Sequence, residues 1–380
     1  MRPEDLARLK ELYPQNVEPT DADARAAIGI NLPRWTALED EIFADFTEQP
    51  PYGIGWWAPD PGTSRRILVG DQLHCCLESV AGNMTEAALH WLEYLGASDR
   101  DNARLADAVK MTPTGPVISP PRSRNAFEQL CPDFIRIHQA GMIRSLASAL
   151  DCLAGVVIGV AALPMSILRA DFDRARAKLA KINGALNVGT DMQAQFAAQL
   201  EAGISAAGPQ GWLDWTLDFR NMLVHRGRRI ELGQYLPITP VLLGADGQPF
   251  PRARRVAHLP RNPGRSDVEV FLGTPWNTVL HEEGQQTLQG LINSASQLVE
   301  TMATHLMDLW RWRRGHPTDL HQPAEQWKDG PSTHSTGFNG YAPGSLSLSP
   351  GMGMMHPITA RRFHAAALDD AARPQWAAFD

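Results

Sequence analysis

One apolar stretch constrains this chain more than any other feature. From Ser145 to Leu168 a single charge, Asp151, interrupts it. Ile143, Leu146, Leu150, Leu153, Val157 and Val160 recur at spacings of 3, 4, 3, 4 and 3. That alternation puts them on one helical seam. It predicts a long helix, beginning near Phe134, that packs at a shallow angle in a bundle. Ala147, Ala154 and Ala161 repeat every seven residues beside the seam, which lets a neighbour approach closely. Gly155-x-x-x-Gly159 fits the same close crossing. Pro164 should kink or end the helix. By length alone the stretch would span a bilayer. A buried bundle helix explains the same composition without one, so no membrane partner is expected.

Other helices are predicted from their caps and stops. Pro3 to Leu12 reads as a first helix, and Thr20 or Asp21 would cap a second one ending near Ile28. A loop rich in Pro and Gly follows and carries Trp56 and Trp57. A helix from about Gln72 to Leu95 should stop at Gly96. Residues 112–125 (TPTGPVISPPRSRN) read as a linker. Asp171 or Asp173 would cap the next helix, with a stop around Asn183-Gly184, and Asp191 another, ending near Ala202. Gly211 to Arg226 is a further helix, halted by Gly227. The runs Tyr235–Leu243 and Val268–Leu272, with the turn signal Ala245-Asp246-Gly247, suggest a β-hairpin or small sheet. A last long helix should run from about Glu283 to Trp312. Beyond Gly315 the chain turns rich in Pro, Gly, Ser and His, the composition of an extended tail.

Composition narrows the function classes. A formal net charge of −7 argues against non-specific coating of nucleic acid or of an anionic membrane surface. Any work on nucleic acid must use a local site. Four Cys in 380 residues exclude a disulfide-dense scaffold. Cys75-Cys76 are adjacent and Cys131 and Cys152 isolated, with no C-x-x-C and no H-E-x-x-H. His74 with His90, or His281 with Glu282, lacks a diagnostic metal-ligand spacing, so neither a metal nor another cofactor is expected. There is no P-loop, nucleophile elbow or dinucleotide glycine fingerprint. The charged start MRPEDLARLK has no apolar core of a signal peptide, so the expected compartment is the cytoplasm.

The informative stretch is Asp214 to Arg229, DWTLDFRNMLVHRGRR. It holds Arg220, Asn221 and His225 as R-N-x-x-x-H, with Phe219 before the Arg and Arg226-Gly227 after the His. Here the chain resembles the HEPN superfamily, defined by an R-x(4–6)-H motif in a small all-α bundle. The resemblance covers residues 134–312. It implies a mainly α fold: a helical bundle of HEPN type with a small β insertion at about 230–280 and irregular terminal extensions. The implied domains are a helical region of unknown role at 1–125, the bundle at 126–315 and the tail at 316–380. The resemblance further implies a metal-independent RNA endonuclease, a toxin or phage-defence effector. Such an enzyme works as a homodimer whose two motifs share a cleft, and an antitoxin can be its partner. Other members keep the fold without catalysis.

The residue types support that chemistry independently. Metal-free RNA cleavage uses the adjacent 2′-hydroxyl as nucleophile and needs a group titrating near neutrality, which His supplies. It also needs a fixed cation for the transition-state phosphate. Arg suits this because its planar fork grips two oxygens. Asn221 would orient the phosphate or the imidazole. Arg226, Arg228 and Arg229 would attract RNA locally. A helix C-terminus near His225 favours imidazolium, which suits a general acid at least as well as a base.

Helical geometry adds a constraint. At ~100° per residue, Asp214, Asp218, Asn221 and His225 share a stripe about 60° wide, with Arg220 about 140° from His225. Either the Arg side chain swings back, or the helix loosens before Gly227, or two chains combine. Arg220 sits among apolar neighbours, and Asp151 is the candidate acid to hold it. The alternative function is a non-catalytic HEPN-like module for dimerisation or partner binding. A third option is nucleotide transfer by a partner enzyme.

Overall fold

The computed structural model describes residues 25–47, 57, 63–106, 109–112, 115–118, 125–225, 239–243, 249–252, 258–273, 278–320 and 340–342. Among them the fold is mainly α. Nine α-helices follow in order: α1 Pro33–Thr47, α2 Thr63–Ala106, α3 Ala126–Gln129, α4 Cys131–Val160, α5 Phe172–Leu179, α6 Val188–Ala207, α7 Trp212–His225, α8 Asp267–Gly273 and α9 Gly284–Gly315. Two short antiparallel pairs accompany them. Strand β1 (Val109–Thr112) pairs with β2 (Gly115–Ile118), and β3 (Thr239–Leu243) with β4 (Pro249–Arg252). The first pair lies partly on the Pro-rich stretch read as a linker. The first predicted helix, Pro3 to Leu12, and the tail beyond residue 320, apart from 340–342, lie outside the described residues, as does the turn Ala245-Asp246-Gly247.

Contacts group the chain into two compact units. The first comprises residues 1–33, 81–149 and 202–300, the second 34–80, 150–201 and 301–380.

In the first unit, Met84, Ala88, Trp91 and Tyr94 of α2 are buried, as are Met142, Ile143 and Leu146 of α4. Leu213, Leu217, Phe219 and Leu223 of α7 and Leu288, Leu291, Ile292 and Leu298 of α9 complete this core. Helix α2 runs straight through Gly96, where a stop was expected. Glycine costs a helix only about 1 kcal/mol, and Tyr94, Ala97 and Asp101 are buried around it. Packing therefore outweighs the local preference. Asp101 is fully enclosed and accepts from Arg104 one turn on, at 2.8 Å.

The run Val268–Leu272, expected as strand, is helical in α8. Its start is a reciprocal cap. The Ser266 hydroxyl accepts from the Glu269 amide at 3.3 Å, and the Ser266 amide donates to the Glu269 carboxylate at 2.8 Å. Two otherwise orphaned amides are thereby satisfied.

In the second unit, Leu150, Leu153, Val157 and Val160 of the seam are 0–1% exposed. Full burial of such side chains stabilises by roughly 1.5–3 kcal/mol each. Ala154, Val156 and Ile158 are equally buried, so α4 from residue 153 to 160 is enclosed on every side, which explains its unbroken apolar composition. The helix ends at Val160, ahead of Pro164. Ala162 takes φ +51°, and the Leu163 amide returns to the Ile158 carbonyl at 3.0 Å, the left-handed closure that lets the chain leave a helix.

Asp171 caps α5 by accepting from the Arg174 amide at 2.9 Å. At α6 the capping side chain is Asn187, which accepts from the Thr190 amide at 2.8 Å. Asp191 lies within the first turn, so α6 begins earlier than its sequence suggested. The last helix, α9, also runs three residues past Trp312.

A buried guanidinium closes the C-terminal end of α4. Arg313 is 0% exposed and donates to the carbonyls of Gly159, Val160, Trp57 and Leu320, at 2.9, 2.7, 3.3 and 3.4 Å. Trp57 Nε1 adds a bond to the Gly159 carbonyl at 3.0 Å. Carbonyls in the last turn have no partner within their own helix, and Arg313 satisfies two of them with one side chain. Burial pushes its pKa down to about 9, so it keeps its charge at neutral pH. Nearby, Asp45 on α1 accepts from Trp310 Nε1 and from Arg314 Nη2, both at 2.6 Å. Glu41 binds Arg311 and Arg314. The hydrogen bond from Arg311 is the main reason the Glu41 carboxyl lies below its usual range.

Candidate functional site

The R-N-x-x-x-H segment occupies the C-terminal half of α7. Gly211, at φ +80°, turns the chain into this helix, a conformation that glycine adopts without strain. Gly208 lies just before it. A Cβ there would stand 2.5 Å from Ser294 Oγ and 2.9 Å from the Trp212 ring, so the backbone approaches as only glycine permits. Trp212 Nε1 bonds to the Ile204 carbonyl and Trp215 Nε1 to the Pro260 carbonyl, both at 3.0 Å. The Trp215 and Phe219 rings meet at 4.8 Å. These contacts hold α7 by its aromatic face.

Along α7, Leu213, Leu217, Phe219 and Leu223 are buried, whereas Asp214 and Asp218 are exposed and Arg220 and Asn221 half-buried. The polar stripe is therefore the open side of the helix. Arg220 lies between that side and the core, with its Nε shut off from solvent. The helix stays α-helical to His225. The His225 side chain and Arg226, Arg228 and Arg229 lie outside the described residues.

Asp218 is crossed by a loop. A Cβ on Gly264 would lie 2.5 Å from Asp218 Oδ2, so residues 260–264 touch α7 at Trp215 and Asp218, although Asp218 stays exposed. Asp151 belongs to the second unit and Arg220 to the first. The Asp151 carboxylate accepts from the Phe172 amide at the start of α5, at 3.2 Å.

The structure adds Arg144, which the sequence reading passed over. Its Nη2 donates to the Leu223 carbonyl at 3.2 Å. A cation is thus fixed on the last turn of α7, two residues before His225, where the helix dipole favours positive charge. The available signal was its place on α4: no further cation follows it on the helix, in a segment that otherwise reads as core.

A second cluster in the same unit pairs two histidines. His90 Nδ1 on α2 and His138 Nδ1 on α4 stand 3.1 Å apart. The His90 ring lies where a Cβ on Gly141 would be, within 2.4 Å. Burial, then the His90 charge, hold the His138 pKa below its ordinary 6.5. One ring must donate and the other accept, so the accepting ring carries no proton on its Nδ1.

Fold and site together define a mainly α-helical protein that presents an Arg-Asn-x-x-x-His segment at a helix C-terminus. Comparisons with protein-family models, curated proteins and solved structures find no match.

Proposed function

We propose that the chain is a metal-independent RNA endonuclease of HEPN type, acting as a homodimer in toxin or phage-defence biology. One observation carries the reading: α7 stays regular from Trp212 and ends on His225, with Arg220 and Asn221 one to two turns earlier. A guanidinium, an amide and an imidazole are thereby gathered on one short, anchored segment. Arg144 adds a further cation at that helix end.

In the proposed reaction a base takes the proton of the RNA 2′-hydroxyl, whose oxygen attacks the adjacent phosphorus. The bond to the 5′-oxygen breaks, and that oxygen takes a proton from an acid. The products are a 2′,3′-cyclic phosphate and a 5′-hydroxyl. His225 is one of the two proton-transfer groups, and Arg220 neutralises the charge on the pentacoordinate phosphorane. With Arg220 about 140° around the helix from His225, pairing across a dimer would bring an Arg and a His of different chains together. Ile137 and Val224, 52% and 51% exposed, support such a contact. Ile137 shares a face of α4 with Arg144, and Val224 follows the carbonyl that Arg144 holds.

The test is cleavage of single-stranded RNA in EDTA. Wild type should cut, and His225→Ala should lose at least ~100-fold with its circular dichroism unchanged. Undiminished cleavage by that variant would remove the proposal. The exposed apolar residues also favour a second reading, a non-catalytic partner-binding bundle. That reading gains if pure wild-type protein leaves every RNA intact.

A further inference from the structure

The second unit contains a side-chain cluster that the proposed reaction does not use. Glu39 projects from α1, and His74 and Glu78 project one turn apart from α2. Their ligand atoms, one from each, all lie within 4.8 Å of one another. His74 Nδ1 and Glu78 Oε1 are 3.8 Å apart. His74 is 5% exposed and packs against the Phe43 ring at 4.8 Å, whereas Glu39 is half-buried and Glu78 exposed.

Two features distinguish this cluster from a solvated ion pair. The imidazole is almost wholly buried, with its orientation fixed by Phe43 from the neighbouring helix. Two carboxylates from different helices converge on it, and like charges gathered there gain from a cation between them.

The distances suit a metal ion. Zn²⁺ binds imidazole nitrogen and carboxylate oxygen at ~2.0–2.2 Å, so two donors on one tetrahedral ion stand roughly 3.3–3.6 Å apart. The His74–Glu78 separation of 3.8 Å already lies close to that range. No separation exceeds 4.8 Å, so closure takes about 1.5 Å or less, within reach of rotamer changes in the two glutamates. Nitrogen and oxygen donors without thiolate suit Zn²⁺, Co²⁺ or Mn²⁺.

We propose that Glu39, His74 and Glu78 form a binding site for a divalent transition-metal ion of the Zn²⁺ class. Water completes the coordination on the open Glu78 side. The bound ion ties α1 to α2 within the second unit. The site is separate from the Arg220–His225 segment, so it stands or falls independently of the ribonuclease reading.

The experiment uses the full chain, stripped with EDTA and dialysed. Zn²⁺ is titrated in by calorimetry, and Co²⁺ is followed through its visible absorption. The expected result is one equivalent per chain at this site and a rise in thermal midpoint with Zn²⁺. Glu78→Gln and Glu39→Gln should each weaken binding at least about tenfold, with circular dichroism unchanged. His74→Asn should abolish the Co²⁺ bands. Glu78 is exposed, so its variant keeps the test valid if the His74 variant fails to fold. Absence of stoichiometric binding by the wild type would overturn the proposal. So would wild-type affinity in both glutamine variants, which would put the ion elsewhere, for example on the His90–His138 pair.

Discussion

At the scale of single residues, the most consequential group is one that a sequence does not advertise. Arg313 reads as one of several basic residues ending a long helix, yet it is the enclosed donor to four backbone carbonyls. Its role depends on chain segments far apart in sequence, so no local pattern could show it. Replacing it with Met would leave those carbonyls short of donors in a dry site, at about 1–3 kcal/mol for each one not rescued by water. Arg313→Met should therefore lose about 3–5 kcal/mol in denaturant unfolding. A loss below 1 kcal/mol would mean that the carbonyls find other partners.

The histidine pair makes a prediction of opposite chemical sense. His138 faces His90 and Glu93 from α2, with Arg100 contributing, and its folded pKa is depressed below 6.5. As pH falls through 6.5, the unfolded chain takes up a proton before the folded one does. Stability is therefore fully present above that pH and declines as pH drops towards the folded pKa. His138→Gln should flatten the dependence of the thermal midpoint between about pH 7 and pH 5. An unchanged slope would show that His138 does not contribute to the pH dependence.

At the scale of elements, hydrophobic spacing served well and punctuation served poorly. The six seam residues of α4 are all buried, because a 3–4 repeat is a direct consequence of helical pitch. Asp171 caps as its residue type predicts. Gly96 failed as a stop, because a glycine ends a helix only where nothing holds the next turn. Val268–Leu272 misled as a strand because its β-branched and apolar residues outweighed the Ser266-x-x-Glu269 capping box beside them.

Arg144 belongs at this scale too, since its contact with the Leu223 carbonyl joins α4 to the end of α7. Such a pairing depends on tertiary placement, so the sequence can mark Arg144 as the last cation of its helix but not name its partner. Arg144→Ala should lower the unfolding free energy by about 1 kcal/mol and slow RNA cleavage through loss of order at the α7 terminus. Stability and cleavage both at wild-type level would mean that this bond holds nothing in place.

For the whole molecule, the mainly α class was legible because it rests on composition and periodicity summed over many residues. Each compact unit draws on three separate stretches of the chain, an organisation that reading along the sequence cannot represent. The R-N-x-x-x-H segment was legible as a motif, and its seat at the C-terminal half of a helix matched the expectation of a helix from Gly211 to Arg226.

The central claim is the proposed chemistry: His225 moves a proton and Arg220 steadies the phosphate charge, with the RNA's own hydroxyl as nucleophile. Its most direct test is the identity of the product ends from a single-stranded RNA incubated with the protein in EDTA, read by mass spectrometry. The account predicts 2′,3′-cyclic phosphate and 5′-hydroxyl ends with wild type, and intact RNA with His225→Ala. Ends bearing a 5′-phosphate, or cyclic ends produced equally by the variant, would contradict it.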